Sequence, residues 1–198
     1  MITPEAEHKK YQRMWTEVAG YRSNSPGEGL VKKFLAVADW EDGDSLVDLG
    51  CGPGRASLLL QDNGLRVTML DIAGEALDKS VKVRAGILGM VFIEQNLWDV
   101  YLSIHGRFDW LYCCDVLEHI PTEHVDATLN NMRAMTGKGA FLQIALWDDS
   151  FGNKIGETLH LTVKPIPWWR EKIESRWNIK LCELSDDHRL IVLTGSPK

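Results

Sequence analysis

The chain has 198 residues, a length that fits one domain better than two and that can bury a hydrophobic core without disulfides or metal staples. Its 22 Lys and Arg stand against 28 Asp and Glu, and this net charge of −6 argues against nucleic acid, whose phosphates are bound mainly by cationic side chains. With no CxxC pair, no apolar signal core and no stretch long enough to span a membrane, we expect a cytoplasmic protein without a membrane partner.

The N-terminal region is predicted to be helical. Pro4 suits a first helical position, where its missing N–H costs nothing. Apolar residues then recur at every third or fourth position, which marks one face of a helix: Tyr11, Met14, Trp15 and Val18. Residues 23–29 are rich in Ser, Pro and Gly and predict a break before a second helix.

From Ser45 onward, strands are predicted to alternate with helices. Strands are expected at residues 45–49, 65–70, 90–93, 108–113 and 140–146, with helices over 56–60 and 75–84 and a third opened by Pro121. This alternation predicts a doubly wound parallel sheet that is covered on both faces and connected by right-handed crossovers. Ligands of such sheets bind outside the carboxyl ends of the strands.

The sharpest signal is LVDLGCGPGR at residues 46–55, where a buried strand enters a turn with glycine at every second position: Gly50, Gly52 and Gly54. Glycine adopts backbone angles that are closed to other residues and lets a ligand approach the chain. The helix that follows presents free N–H groups and a positive dipole end. The loop therefore predicts a site for a carboxylate or a phosphate.

Asp71 ends the second predicted strand, 21 positions after Gly50. A carboxylate at that place accepts hydrogen bonds from ribose hydroxyls in nucleotide-binding α/β folds. The dinucleotide fingerprint G-x-G-x-x-G shares this feature, but here Arg55 stands where its last glycine would be. Asp48 also differs from the usual apolar lead-in, so a nicotinamide oxidoreductase is disfavoured.

VDLGCGPG at residues 47–54 resembles the first motif of class I S-adenosylmethionine-dependent methyltransferases. CCDVLEHIP at residues 113–121 resembles the segment after the fourth strand in their ubiquinone-methyltransferase-like branch. The resemblance covers residues 45–121 well and the rest in outline. It implies an α/β, single-domain, Rossmann-like doubly wound sheet of seven strands in the order 3-2-1-4-5-7-6, the last antiparallel, with helices on both faces.

The resemblance also implies S-adenosyl-L-methionine as cofactor and S-adenosyl-L-homocysteine as product. Residues 1–44 would form a lid, 45–146 the cofactor-binding core, and 147–198 the acceptor-side loop, helix and closing strands. Asn96 would stand where the family has an acidic adenine contact; asparagine can still accept a hydrogen bond. The predicted cofactor-binding residues are Asp48, Gly50, Cys51, Gly52, Gly54, Arg55, Asp71, Ile72, Asn96, Leu97, Asp115, Val116, Tyr21 and Arg22.

Two histidines are candidate catalytic residues. His160 could act as general base toward a hydroxyl acceptor near neutral pH, and His119, like Trp147, is a further candidate for the acceptor side. A plain surface or core histidine is the competing interpretation. A metal site within the run Asp115, Glu118, His119, Glu123 and His124 is disfavoured, because Pro121 separates the two Glu-His pairs and the spacing is not HExxH. No metal is therefore expected.

Residues 163–180 combine five Lys or Arg with three Trp. This segment predicts either a single-stranded nucleic-acid surface or an amphipathic helix with its tryptophans turned inward. The chain lacks the [DNS]-PP-[YFW] pattern of base amino methylation and the Pro-Cys nucleophile of cytosine carbon methylation. We expect O- or N-methylation of a small molecule, such as a sugar or metabolite, by a monomer or homodimer. The alternatives are an RNA or protein methyltransferase and a catalytically silent S-adenosylmethionine-binding module.

Overall fold

The computed structural model describes residues 2–23, 25–98 and 106–198. Its helices before the sheet are α1 (Pro4–Glu17), α2 (Ala19–Arg22) and α3 (Pro26–Val37). Thr3 caps α1, where its hydroxyl accepts a hydrogen bond from the N–H of Ala6. The break predicted over 23–29 is shorter than expected, because Pro26 already opens α3 in the position that proline favours. Asn24, within that predicted break, lies outside the described residues.

Strands and helices then alternate along the chain. They are β1 (Ser45–Leu49), α4 (Arg55–Asp62), β2 (Arg66–Asp71), α5 (Lys79–Leu88), β3 (Val91–Glu94), β4 (Phe108–Cys114), α6 (Val125–Met135), β5 (Thr136–Ala145), α7 (Ile166–Glu174), β6 (Trp177–Leu184) and β7 (Arg189–Pro197). Four 3₁₀ turns in the described chain lie at Gly74–Ala76, Leu117–His119, Thr122–His124 and Gly152–Ile155.

Two predicted helices begin later than the sequence suggested. The helix predicted over 75–84 is α5, which begins only at Lys79. The backbone of Leu77 and Asp78 is extended, with ψ of 130° and 143°, and the guanidinium of Arg22 binds the carbonyl oxygens of Glu75 and Ala76 just before this break. The helix predicted to open at Pro121 starts as a 3₁₀ turn and becomes α-helical at Val125.

The seven strands form one sheet in the order β3-β2-β1-β4-β5-β7-β6. The first five strands are parallel, and β7 runs antiparallel to both β5 and β6. In the register of the sheet, Asp48 of β1 lies between Met69 of β2 and Tyr112 of β4. Both the strand order and the antiparallel last strand confirm the predicted fold.

Helices bury an apolar cluster against each face of the sheet. On one face, Phe34 of α3 meets Trp110, Tyr112 and Phe141 edge-on at ring-centroid distances of 5.7, 5.7 and 5.8 Å. On the other face, α6 and α7 contribute residues that include Leu129, Met132, Trp169 and Ile173. Burial of such large side chains is the main source of stability for a domain of this size.

The tryptophan-rich segment lies on that second face, and its helical part, α7, turns Trp169 inward as the amphipathic interpretation predicts. Trp177 already belongs to β6. Trp169 and Trp177 are fully buried in the core. Basic side chains of the segment pair with acidic neighbours: Lys172 and Arg176 both bind Asp126, at 2.7 and 2.9 Å. None of the helices described combines the length and apolar character needed to cross a membrane.

Candidate active site

A cavity of about 330 Å³ opens at the carboxyl ends of β1, β2 and β4. Its wall is completed by the N-terminal helices, by residues that follow β3 and by the segment 147–160. Ten of the predicted cofactor-binding residues line it: Asp48, Gly50, Cys51, Gly52, Asp71, Ile72, Leu97, Asp115, Val116 and Tyr21. The two candidate catalytic histidines, His119 and His160, line the same space.

The glycine loop needs its glycines for backbone angle and for space. Gly50 has φ +70°, and a Cβ at this position would overlap the side chain of Val116. The N–H groups of Gly50 and Cys51 both donate to the carbonyl of Leu70, at 2.8 and 3.0 Å, which fixes the loop against the end of β2. Gly52 faces the cavity beyond this point.

Gly54 has a different task from the other two glycines. It has φ +79°, and a Cβ there would lie 2.8 Å from atoms of Leu77 and Val81, so its role is the close packing of α4 near α5. Gly54 does not line the cavity. Arg55, next along the chain, turns its Nε to Asp78 at 2.8 Å and does not line it either.

Two buried carboxyl groups stand at the loop. Asp71 accepts hydrogen bonds from the N–H groups of Gly52 and Ala73, at 2.9 and 3.1 Å, and burial raises its pKa to about 6. Asp48 accepts the hydroxyl of Ser57 at 2.6 Å, and burial raises its pKa to about 7. Because burial disfavours the charged form of both groups, a cationic ligand in the cavity would favour their ionisation.

Aromatic side chains of α1 and α2 cover the cavity. Tyr11, Trp15 and Tyr21 line it, with the rings of Trp15 and Tyr21 4.6 Å apart. Tyr21 also meets Phe151 edge-on at 5.8 Å, so the N-terminal helices touch the segment 147–160 above the sheet. Arg22 faces away, toward Asp78 and the 3₁₀ turn at Gly74–Ala76, and does not line the cavity.

In the segment after β3, the residues that line the cavity differ from the predicted Asn96. Asn96 is buried outside the cavity lining, and its Oδ1 accepts the N–H of Trp98 at 3.0 Å. Gln95 and Trp98 line the cavity together with Leu97. Sequence reasoning missed these two residues, although both stand beside the predicted Asn96 in the EQNLWD stretch.

The two histidines stand close together in the wall of the cavity, in a part that we call its histidine end. Their ring centroids are 4.7 Å apart and the rings are perpendicular. His119 Nδ1 lies 2.8 Å from the hydroxyl of Tyr11, and His160 Nδ1 lies 2.5 Å from the carbonyl oxygen of Trp147. Burial lowers the pKa of His119 well below its usual range, so this ring stays neutral at physiological pH.

Asp115 joins this end to the closing strands. Its φ of +54° is uncommon for a residue with a side chain and marks a backbone held by its surroundings. Arg189 of β7 donates through Nε to both carboxylate oxygens of Asp115, at 3.0 and 3.1 Å, and stacks over Trp147 at 4.7 Å. Arg189 and the run 148–151 were missed because no local pattern links them to the loop motifs.

Curated relatives match part of the chain. It is 32% identical over 102 residues to the magnesium-protoporphyrin O-methyltransferase of Synechocystis sp., a match that covers 50% of this chain and 43% of the relative. It is 32% identical over 82 residues to the ubiquinone biosynthesis O-methyltransferase of Shewanella halifaxensis, with 40% and 34% covered. These sequence matches thus span less than half the length of either relative.

Solved structures share the whole fold. The magnesium protoporphyrin IX methyltransferase of Synechocystis PCC 6803, with bound SAH, matches with a TM-score of 0.68 at 18% identity, over 98% of this chain and 95% of that one. The Burkholderia thailandensis 1,6-didemethyltoxoflavin-N1-methyltransferase matches with a TM-score of 0.72 at 13% identity, over 100% and 92%. At these identities the likeness concerns the fold.

A family model described as methyltransferase domain matches residues 19–181, which is most of the chain and includes both the glycine loop and the histidine end of the cavity. The chain therefore belongs to the methyltransferase-domain family, in agreement with the predicted class I S-adenosylmethionine-dependent type.

Proposed function

We propose that this protein transfers a methyl group from S-adenosyl-L-methionine to an oxygen of a small-molecule acceptor. S-adenosyl-L-methionine is the cofactor of this class of enzyme. The observation that carries the proposal is a single cavity with two chemically different ends. The glycine loop, Asp48 and Asp71 line one part of it, which we call the first end, and His119 and His160 line another part, which we call the second end.

The first end suits the cofactor. Asp48 would attract the ammonium group of the methionine part, and Asp71 would accept the ribose hydroxyls. Leu97 and Trp98 would contact the adenine ring. We assign the polar adenine contact to Gln95 rather than to the predicted Asn96, because Gln95 lines the cavity and Oδ1 of Asn96 accepts a backbone N–H.

The second end suits the acceptor. The sulfonium methyl is already activated, so the protein has mainly to align it with the acceptor and exclude water. A hydroxyl acceptor must also lose its proton, which requires a group such as His119 or His160 close to the oxygen. Both histidines stay proposed catalytic residues, and Trp147 and Phe151 would flank the acceptor.

We assign a different role to each of three regions of the chain. We assign residues 1–44 as a lid, since Tyr11, Trp15 and Tyr21 cover the cavity from α1 and α2. Residues 45–146 would hold the cofactor, and residues 147–198 would supply the acceptor side through the loop and Arg189. Monomer or homodimer and a cytoplasmic location stay predictions.

Two observations favour a small acceptor, and a third favours oxygen as the methylated atom. A cavity of about 330 Å³ is near the lower end of the range of ligand pockets, about 300–1,000 Å³. The cations Arg170, Lys172 and Arg176 are paired with acidic groups, which leaves their charge less available to RNA phosphates. Relatives in cyanobacteria and Shewanella are named as O-methyltransferases, which supports oxygen as the acceptor atom.

The test is calorimetric titration with S-adenosyl-L-methionine, S-adenosyl-L-homocysteine and NAD, followed by transfer of a labelled methyl group to a panel of hydroxylated metabolites. We expect both adenosyl compounds to bind and NAD not to bind. Asp71→Asn should weaken the binding of both adenosyl compounds. Binding of NAD alone would overturn the proposal, and cofactor binding without transfer to any acceptor, RNA included, would indicate a silent binding module.

A further inference from the structure

We propose that the methyl acceptor carries a protonated amino group, and that Asp148 and Asp149 in the cavity wall hold this group. The inference rests on the proposed function and deepens it, because it names the charge of the acceptor. It follows from the carboxylates of the wall that neither a basic side chain nor the assigned cofactor contacts neutralise.

The cavity wall carries far more acid than base. Within the described residues, six carboxyl side chains line it: Glu7, Asp48, Asp71, Asp115, Asp148 and Asp149. Arg189 is the only Lys or Arg among the described lining residues. A cleft lined by one sign of charge concentrates ligands of the opposite sign. The wall therefore favours ligands that carry positive charge.

Two of the six carboxylates are paired with cations of the protein. Lys10 Nζ lies 2.7 Å from Oε2 of Glu7, and Arg189 Nε lies 3.0 Å from Oδ1 of Asp115. Arg189 also binds Asp187 on the turn between β6 and β7. With two carboxylates around its guanidinium, Arg189 is a poor partner for an anionic acceptor.

Asp148 and Asp149 have no cationic partner among the described residues. Asp149 Oδ2 accepts the N–H of Gly152 at 2.7 Å, which fixes this side chain and leaves its charge unpaired. Asp148 is exposed and makes no hydrogen bond within the described part of the chain. Since Asp48 and Asp71 are assigned to the cofactor, two negative charges remain to face the acceptor.

Aromatic rings beside these two carboxylates supply an independent observation. Trp147 and Phe151 border them in the chain and line the cavity, and Trp147 is 37% exposed. Both rings already attract cations of the protein, with Arg189 4.7 Å from the ring centre of Trp147 and Lys154 4.6 Å from that of Phe151. Ammonium groups bind at aromatic faces as well as at carboxylates. The wall thus combines both kinds of partner that an ammonium group takes.

The phenol of Tyr21 lies within the same negative field. Burial raises the pKa of Tyr21 well above its usual range, and the carboxylates of Asp71 and Asp149 raise it further. Its ring meets Phe151 edge-on at 5.8 Å, and its hydroxyl has no hydrogen-bond partner in the part of the chain that the structure describes. A neutral phenol oxygen accepts hydrogen bonds, so Tyr21 suits an N–H donor of the acceptor.

The charge of the acceptor also bears on which atom is methylated. Nearby carboxylates favour the protonated form of an amine. An ammonium nitrogen has no lone pair with which to attack the methyl carbon, whereas a hydroxyl oxygen keeps its lone pairs. Holding the amine as ammonium therefore directs the methyl group to oxygen. Amino sugars and amine-bearing phenols are small molecules of this class.

The experiment uses the full chain and two matched sets of acceptors at neutral pH. One set is tyramine, N-acetyltyramine and 4-hydroxyphenylacetate, and the other is D-glucosamine, N-acetyl-D-glucosamine and D-glucuronate. Calorimetry measures binding to the protein loaded with S-adenosyl-L-homocysteine, and labelled methyl transfer gives kcat and KM. In at least one set we expect the amine to have a KM about tenfold below that of the neutral member and the carboxylate not to bind. The KM of the amine should rise with added salt.

Variants assign this preference to the two carboxylates. Asp149→Asn should raise the KM of the amine about tenfold and the exposed Asp148→Asn about threefold, with the KM of the neutral member unchanged. Asparagine at 149 keeps an oxygen for the N–H of Gly152, so the turn stays folded. Asp186→Asn is the matched control, because Asp186 is an exposed carboxylate outside the cavity lining, and it should change neither KM.

The inference is overturned if no amine binds, if the amines are not preferred, or if Asp148→Asn and Asp149→Asn behave like Asp186→Asn. It is also overturned if these two variants weaken S-adenosyl-L-methionine and spare S-adenosyl-L-homocysteine, because the carboxylates would then serve the sulfonium. A failure of the proposed function is distinguishable. A protein that binds the amines selectively and transfers no methyl group loses the function and keeps the cationic ligand. Methylation of neutral or anionic acceptors without preference for amines does the reverse.

Discussion

The two ends of the cavity are built in different ways. The cofactor end comes from short contiguous motifs at the ends of β1 and β2, where the N–H of Gly50 donates to the carbonyl of Leu70 and the carboxylate of Asp71 accepts the N–H of Gly52. The acceptor end is assembled from α1, the turn after β4, the loop 147–160 and β7, whose residues are far apart in the chain. Changes at the first end should therefore alter cofactor binding and stability, and changes at the second end should alter turnover.

The largest effect is expected at Gly50. Gly50→Ala places a side chain at positive φ and against Val116, and we expect the free energy of unfolding to fall by about 3 kcal/mol and cofactor affinity to fall by more than about 100-fold. Gly89→Ala is the matched control, since Gly89 has φ +68° with open space around it. It should cost only about 1 kcal/mol and leave cofactor affinity unchanged. Denaturant unfolding and calorimetry measure both, and equal losses in the two variants would contradict the role of the loop.

Asp48→Asn should separate affinity from stability. Removing the carboxylate should weaken the binding of S-adenosyl-L-methionine by roughly 10- to 50-fold, because the ammonium group loses its charged partner. The folded-state pKa of about 7 is raised above the unfolded value, so stability from this group is lost as the pH rises through 7. At pH 8 the ligand-free Asp48→Asn variant, which buries no charge at this position, should therefore be more stable than the unmodified protein by about 2 kcal/mol, and at pH 5 the difference should shrink. Unfolding at both pH values checks this, and equal stability at pH 8 would contradict it.

Cofactor binding should also depend on pH. An ammonium ligand favours ionised Asp48, so affinity should rise with pH through about 7 and then level off. Between pH 6 and pH 8 the change should be roughly tenfold in the unmodified protein. Asp48→Asn should flatten this profile and leave only the contribution of Asp71, whose pKa is about 6. Calorimetric titrations over this pH range test the prediction. If the affinity of the variant rises with pH as steeply as that of the unmodified protein, Asp48 is excluded as the source of the pH dependence.

The smallest effect is expected at Tyr11, on the acceptor side. Tyr11→Phe removes the hydroxyl that holds His119 Nδ1 at 2.8 Å, and kcat should fall about fivefold, in line with the loss of about 1 kcal/mol from one hydrogen bond. The affinity for S-adenosyl-L-homocysteine should stay within about twofold, because the ring of the residue is retained. Equal losses in kcat and cofactor affinity would show that the two ends are not separable.

Much of the fold could be predicted from the sequence. Alternation of apolar strands with helices predicted the sheet, and the resemblance implied its strand order. Element boundaries were less accurate, as at α5, which begins only after the extended residues Leu77 and Asp78. Of the predicted site residues, Gly54, Arg55, Arg22 and Asn96 do not line the cavity, since each is engaged in packing or hydrogen bonds beside it.

The sequence by itself determined the glycine loop and the strand-end Asp71, because positive φ angles and strand periodicity are properties of contiguous residues. Only the tertiary structure decided that His160 stands beside Glu118 and His119, and that Arg189 binds Asp115. Contacts of that kind depend on how crossovers and closing strands pack, and no local pattern encodes the distance between residues so far apart in the chain.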